Sequence, residues 1–151
     1  MSYGYANVRE TRVKSVQKSL RVPQEVAQSI EEMADASRRD FSSLTNELLG
    51  EAVRMRRCPG VWFADGPSGR RARIAGTGLD VWEVIAAYKN MASSWDRLRE
   101  AYHWLSQAQL RAALGYFAAY PREIGQEIDR NKAWTKARLV KRHPALRVIG
   151  R

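Results

Sequence analysis

Between Val13 and Pro23, apolar and polar side chains alternate with the period of a β-strand. Val16, Leu20 and Val22 fall on one face, which is apolar apart from Lys18, while Val13, Ser15, Gln17, Ser19 and Arg21 fall on the other. Pro23 then fixes φ and suits the first turn of a helix. The spacing of Val26, Ile30, Met33 and Ala34 predicts a helix from about Pro23 to Ser37. Arg38 to Phe41 reads as a turn, and Ser42 or Ser43 as the N-cap of a second helix reaching Arg57. Leu44, Leu48, Ala52 and Met55 make the inner face of that helix, with Leu49 and Val53 alongside. A strand followed only by helices has no neighbour within its own domain, and its backbone donors and acceptors need one. The simplest neighbour is the same strand of a second copy. Residues 13–57 are also too few to build a self-sufficient core, and they hold no disulfide or metal set. A homodimer is therefore expected.

A different pattern begins at Cys58-Pro59-Gly60, which ends the second helix sharply. Val61 to Phe63 predicts a strand, Asp65 to Gly69 a turn and Arg70 to Ala75 a return strand, basic on one side and solvated by default. Gly76-Thr77-Gly78 reads as a tight turn, since it lacks the lysine and spacing of a nucleotide-binding loop. Helical spacing follows in Val81, Val84, Ile85 and Tyr88, then in Trp95, Leu98 and Tyr102 behind a cap at Ser93 or Ser94. Ser106 caps a third helix with Leu110, Ala113, Leu114 and Phe117 inside, and Pro121 opens a final one holding Ile124 and Ile128. Trp82, Trp95 and Trp104 are expected in the core rather than as a platform for stacking.

Charge changes the picture at one end. The net charge is +10, but residues 1–57 carry ten basic and eight acidic side chains, and residues 58–130 carry nine and eight. Residues 131–151 carry seven basic and no acidic ones. The excess is thus mostly a cationic tail, suited to a polyanion or an acidic protein surface, or simply to solvent. Trp134, Leu139, Val140, Leu146, Val148 and Ile149 interrupt it too often for a purely solvated end. Lys136, Arg138, Lys141 and Arg142, with Trp134 and Leu139, are the candidate partner-binding residues. The polar leader, residues 1–12, reads as a flexible arm. No apolar run is long enough to cross a bilayer, and no signal region precedes the chain, so a cytoplasmic protein without membrane contact is expected.

The order strand, proline, helix, short turn, serine-capped helix resembles the ribbon-helix-helix family of the Arc and MetJ type. The likeness spans residues 14–57 and rests on Leu20-Arg21-Val22-Pro23 and on Phe41-Ser42-Ser43-Leu44-Thr45-Asn46-Glu47-Leu48. It implies an intertwined dimer whose two strands form an antiparallel ribbon in the DNA major groove. Gln17, Ser19 and Arg21 would then read bases, and amides near Ser42 and Ser43 would hold a phosphate, with Lys14 and Lys18 beside the backbone. The residue chemistry is compatible: Gln can bond adenine and Arg guanine in bidentate fashion, a two-stranded ribbon fits the major groove, and helix N-termini bind phosphate. Lys18 departs from the family pattern, which prefers an apolar residue there.

Residues 59 to about 130 resemble a domain-of-unknown-function family (DUF433-like) common in bacterial and archaeal antitoxins. The likeness is carried by Arg73 to Val84, by Leu105 to Tyr116 and by Pro121-Arg122-Glu123-Ile124. It implies a small trihelical, helix-turn-helix-like fold, often encoded beside PIN-type ribonuclease toxins. Together the two likenesses imply a VapB-type antitoxin. The expected architecture is mainly α with short β: an arm (1–12), a ribbon-helix-helix dimer domain (13–57), a β-hairpin plus trihelical domain (58–130) and a basic tail (131–151).

No catalytic set is apparent. His103 and His143 lack Asp, Ser or Cys partners at motif spacing. Asp96/Glu100 and Glu123/Glu127 read as charges on helix faces. Neither a metal motif nor a cofactor motif is present. The expected protein is a non-enzymatic antitoxin that binds a double-stranded operator, represses its own operon and neutralises a PIN-like ribonuclease, as a dimer or a higher oligomer. A stand-alone repressor and an interaction module that does not bind DNA remain the alternatives.

Overall fold

The computed structural model describes residues 14–67 and 69–142, without the side chains of Leu139, Val140 and Arg142. The expected arm, Val13, the turn residue Ser68 and positions 143–151 lie outside the described residues. The described fold is mainly helical with one antiparallel hairpin. It divides into two compact units between Leu44 and Thr45, inside a helix, where the residue pattern alone puts a boundary after that helix ends.

In the N-terminal unit, residues 14–23 carry no helix or strand within the single chain. Helix α1 spans Gln24–Ser37, and Pro23 caps it as its fixed φ favours, its carbonyl accepting from the N–H groups of Val26 and Ala27 at 3.1 Å each. Arg38 turns left-handed at φ 53°. That turn lets the Arg39 N–H donate to Ala34 O at 2.9 Å and the Arg38 N–H to Asp35 O at 3.2 Å, which ties off the last carbonyls of α1. Helix α2 spans Phe41–Arg57. Its cap is Asp40 rather than Ser42 or Ser43: the Ser43 N–H donates to the Asp40 carboxylate at 3.1 and 3.3 Å. Aspartate satisfies these amides as well as serine does, and both serines fall within the first turn. Of the expected inner face of α1, only Ala34 is buried; Ile30 is half-buried, and Val26 and Met33 are exposed.

The larger unit is organised round α3 (Val81–Asn90), which packs on β2 (Gly69–Ile74), α4 (Trp95–Ala101), α5 (Gln107–Ala119) and α6 (Pro121–Arg142). β2 pairs antiparallel with β1 (Val61–Gly66), from Val61 opposite Ile74 to Gly66 opposite Gly69. The strands are longer than the pattern suggests, taking in Asp65, Gly66 and Gly69, which were expected in the turn. Gly60 holds φ +91°, and a Cβ there would meet the Ala112 Cβ at 3.0 Å, so this position needs glycine twice over. Ser94 caps α4 by accepting from the Arg97 N–H at 3.4 Å. Ser106 and Gln109 form a reciprocal capping box on α5, at 3.1 and 2.9 Å. Ile74, Val81, Val84, Ile85, Leu98, Leu110, Ala113, Tyr116 and Ile124 are the sealed centre of the core.

Two expectations about packing fail here. Trp82 and Trp95 pack on the core, but Trp104 is exposed, in the turn between α4 and α5, beside Tyr102 and His103 with ring centroids 5.3 Å apart in each case. A tryptophan beyond the last helical turn has no helix face to carry it inward. On α2 the buried positions are Leu44, Glu51 and Cys58, spaced seven apart, while Ala52 and Met55 are exposed together with Leu49 and Val53. Polar anchoring of Glu51, described next, turns that line inward and leaves the apolar line uncovered in one chain. Among the described residues no helix is long and apolar enough to cross a membrane.

Candidate nucleic-acid and partner interfaces

The expected base-reading residues Gln17, Ser19 and Arg21 are exposed, as are Lys14 and Lys18. All five lie on a segment without internal pairing. A ribbon requires two strands, so its register is not a property of one chain. Val16 and Leu20, on the alternate face, are 79% and 68% exposed. Ser42 and Ser43 are exposed at the start of α2. There the Asp40 carboxylate occupies the Ser43 amide, so a phosphate arriving at that terminus meets a negative cap. The Arg39 Nη2 lies 3.5 Å from Ser43 Oγ and brings a positive charge to the same turn.

The basic tail does not start a new element. Residues 131–142 continue α6, whose first turns are anchored by Ile124, Glu127 and Ile128 in the core. From Lys132 to Arg138 every side chain is exposed, including Trp134, Lys136 and Arg138, and Lys141 is exposed as well. The Arg138 guanidinium lies over the Trp134 ring at 4.9 Å. Leu139 and Arg142 belong to the same helix, but their side chains lie outside the described residues.

The residue pattern missed a seam of buried charge. Arg70 grips Glu51 with two donors, Nε to Oε1 and Nη2 to Oε2, the latter at 3.0 Å, and Nη2 also donates to Phe63 O at 3.3 Å. Arg54 pairs with Glu123 at 2.7 Å and lies over the rings of Tyr120 and Phe63 at 5.1 and 5.9 Å. The Tyr116 hydroxyl donates to Glu123 at 2.7 Å. Burial and that acceptor push the Tyr116 phenol well above its ordinary range. Arg73 pairs with Asp80 at 3.0 Å, and Asp80 also accepts from Trp82 Nε1 at 3.3 Å. Arg71 lies over the Trp82 ring at 5.6 Å.

Arg71 and Glu127 are 9% and 4% exposed, which corrects the reading of both as solvated charges. The usable signal was phase: Glu127 shares its face of α6 with Ile124 and Ile128, and Arg71 precedes Ala72 and Ile74 on a strand that closes the core. Glu127 Oε2 has no hydrogen-bond partner. Burial raises the pKa of this carboxyl above its ordinary value, against the pull of the nearby Arg71 charge. Asn46, Gly50, Glu51, Arg54, Glu123 and Glu127 help to line an open cavity of about 340 Å³.

His103, Asp96 and Glu100, far from motif spacing in sequence terms, line a second open cavity of about 600 Å³ beside Arg99 and Gln107. Among the described residues no cluster of histidine, cysteine or carboxylate side chains has the grouping to hold a metal ion.

Residues 66–117 match the family model described as protein of unknown function (DUF433). The match runs from the end of β1 to near the end of α5. Comparison with curated proteins and with solved structures returned no match.

Proposed function

We propose that this chain is the antitoxin of a toxin–antitoxin pair. Two copies pair their 13–22 segments into a ribbon that binds a double-stranded operator and represses the operon, and the C-terminal half neutralises a PIN-like ribonuclease. The observation that carries this reading is the uncovered apolar surface of the N-terminal part. Val16, Leu20, Val22, Val26 and Met33 are exposed in the single chain, as are Leu49 and Val53 on α2. Leaving such a surface in water forfeits about 25 cal/mol for each Å² that a partner would cover, and an unpaired strand segment wants the same partner. The DUF433 match supports an antitoxin context for the second half. The exposed cationic stretch of α6 has the charge to lie across the carboxylates of a ribonuclease site.

Light scattering on the purified chain, with gel shifts on the DNA upstream of its gene, tests the first half. The expected mass is twice 17.2 kDa, and Leu20→Lys should yield a monomer that no longer shifts DNA. A wild-type monomer would exclude the ribbon. Arg21→Ala should weaken specific binding by about 1–3 kcal/mol and relax base choice at one position. Asp40→Asn keeps the cap but removes its charge, so it should tighten binding if that helix terminus holds a phosphate. Co-purification with the neighbouring gene product tests the second half. Removing residues 131–151 should abolish it, and unchanged capture would refute the tail as the toxin-binding element.

A further inference from the structure

We propose that the cavity bounded by α2, β2 and α6 in the larger unit is a binding site for a small guanidinium compound, with Glu127 as its unfilled acceptor. The lining carries four carboxylates, Glu47, Glu51, Glu123 and Glu127, against two guanidiniums, Arg54 and Arg70. Glu51 is taken by Arg70 and Glu123 by Arg54. Glu127 is the most deeply buried of the four, at 4% exposure, and its Oε2 has no donor. A buried acceptor left unpaired is costly in the folded state, so the site gains from any ligand that supplies N–H donors and positive charge. A metal ion is the poorer fit, because the described residues offer no metal-binding group of ligands.

A planar guanidinium matches the site's own habit. Arg70 already forks onto Glu51, and Arg54 bonds Glu123 while lying over two aromatic rings. The volume, about 340 Å³, falls in the range of small-molecule sites, roughly 300–1,000 Å³. Gly50 adds an independent sign. It lines the cavity from the middle of α2, where glycine is unfavourable. A Cβ there would meet nothing within 4 Å, and its φ is not positive, so neither packing nor backbone conformation in this chain demands it. Its small size keeps the cavity open.

The test is titration of the full-length chain with methylguanidinium, followed by NMR and calorimetry. Methylurea, of the same shape without charge, serves as the control ligand. Saturable binding of methylguanidinium with none of methylurea is expected. Glu127→Gln should weaken it about ten- to a hundredfold, the factor expected for one charge-assisted hydrogen bond. Gly50→Leu, which leaves every charge in place, should block it by filling the space. The absence of saturable binding to wild type would overturn the proposal, and so would equal binding of the two ligands. Undiminished binding by Gly50→Leu or by folded Glu127→Gln would do so as well. None of these readouts depends on DNA or toxin binding.

Discussion

The two ends of the Glu51–Arg70 bridge should respond very differently to truncation, although each removes the same pair. The Glu51 side chain is 10% exposed and the Arg70 side chain 34%. Arg70→Ala leaves a carboxylate buried without its counter-charge, a loss of about 3–5 kcal/mol. Glu51→Ala leaves a guanidinium that still reaches Asp65 at 3.4 Å and Phe63 O at 3.3 Å, and that sees solvent. Its loss should be about 1–2 kcal/mol. The double variant should resemble Glu51→Ala, because removing Glu51 also removes the stranded charge. For a chain of this size 1 kcal/mol moves Tm by about 2–4 °C, so a gap of about 2 kcal/mol separates the two single variants by about 4–8 °C. Thermal and urea unfolding should be run at one protein concentration, since a dimer's Tm depends on it. Equal losses would refute the burial asymmetry, and a larger loss for Glu51→Ala would reverse it.

Other outcomes follow from single positions. Gly60→Ala should cost about 1–3 kcal/mol in urea unfolding, because it combines left-handed strain with a Cβ pressed on Ala112 at 3.0 Å; an unchanged midpoint would show that the turn relaxes freely. The raised pKa of Glu127 makes stability depend on pH. Its folded value lies above the ordinary carboxylate value, so its contribution is full below that ordinary value and is lost as pH rises through the folded one. The charges of Arg71, Arg130, Glu123 and Asp80 act on the same carboxyl. Glu127→Gln should therefore match wild type in acid and gain on it towards neutrality. A constant difference across the pH range would argue against titration at this residue.

Much of the local structure was legible in the residue pattern because its causes are local. Pro23 opens α1, Ser94 and Ser106 cap α4 and α5, and the glycines of the hairpin region place its turns. The apolar spacing along α3 and α5 names Val81, Val84, Ile85, Leu110 and Ala113 correctly as core. The cap of α2 was misplaced by only a few residues, since Asp40 and Ser43 are chemically equivalent candidates for it. Base-reading roles for Gln17, Ser19 and Arg21 rest on likeness to a family, and a single chain has no second strand with which to position them.

The tertiary structure decided which of two possible faces a helix buries. Periodicity says that Leu44, Leu48, Ala52 and Met55 share a stripe; it does not say what covers it. In the described fold Arg70, from a strand nineteen residues away, draws Glu51 inward and so turns the neighbouring line of α2 towards the core. Arg54 with Glu123 and Arg71 near Glu127 are long-range pairings of the same kind. Charges such as these read as solvent-facing until the fold brings their partners close, because in sequence nothing distinguishes a carboxylate that will meet a guanidinium from one that will meet water. The strand segment at the N-terminus is the converse case: its alternation is plain from the residues alone, and its apolar face stays open in one chain because the partner it implies is another molecule.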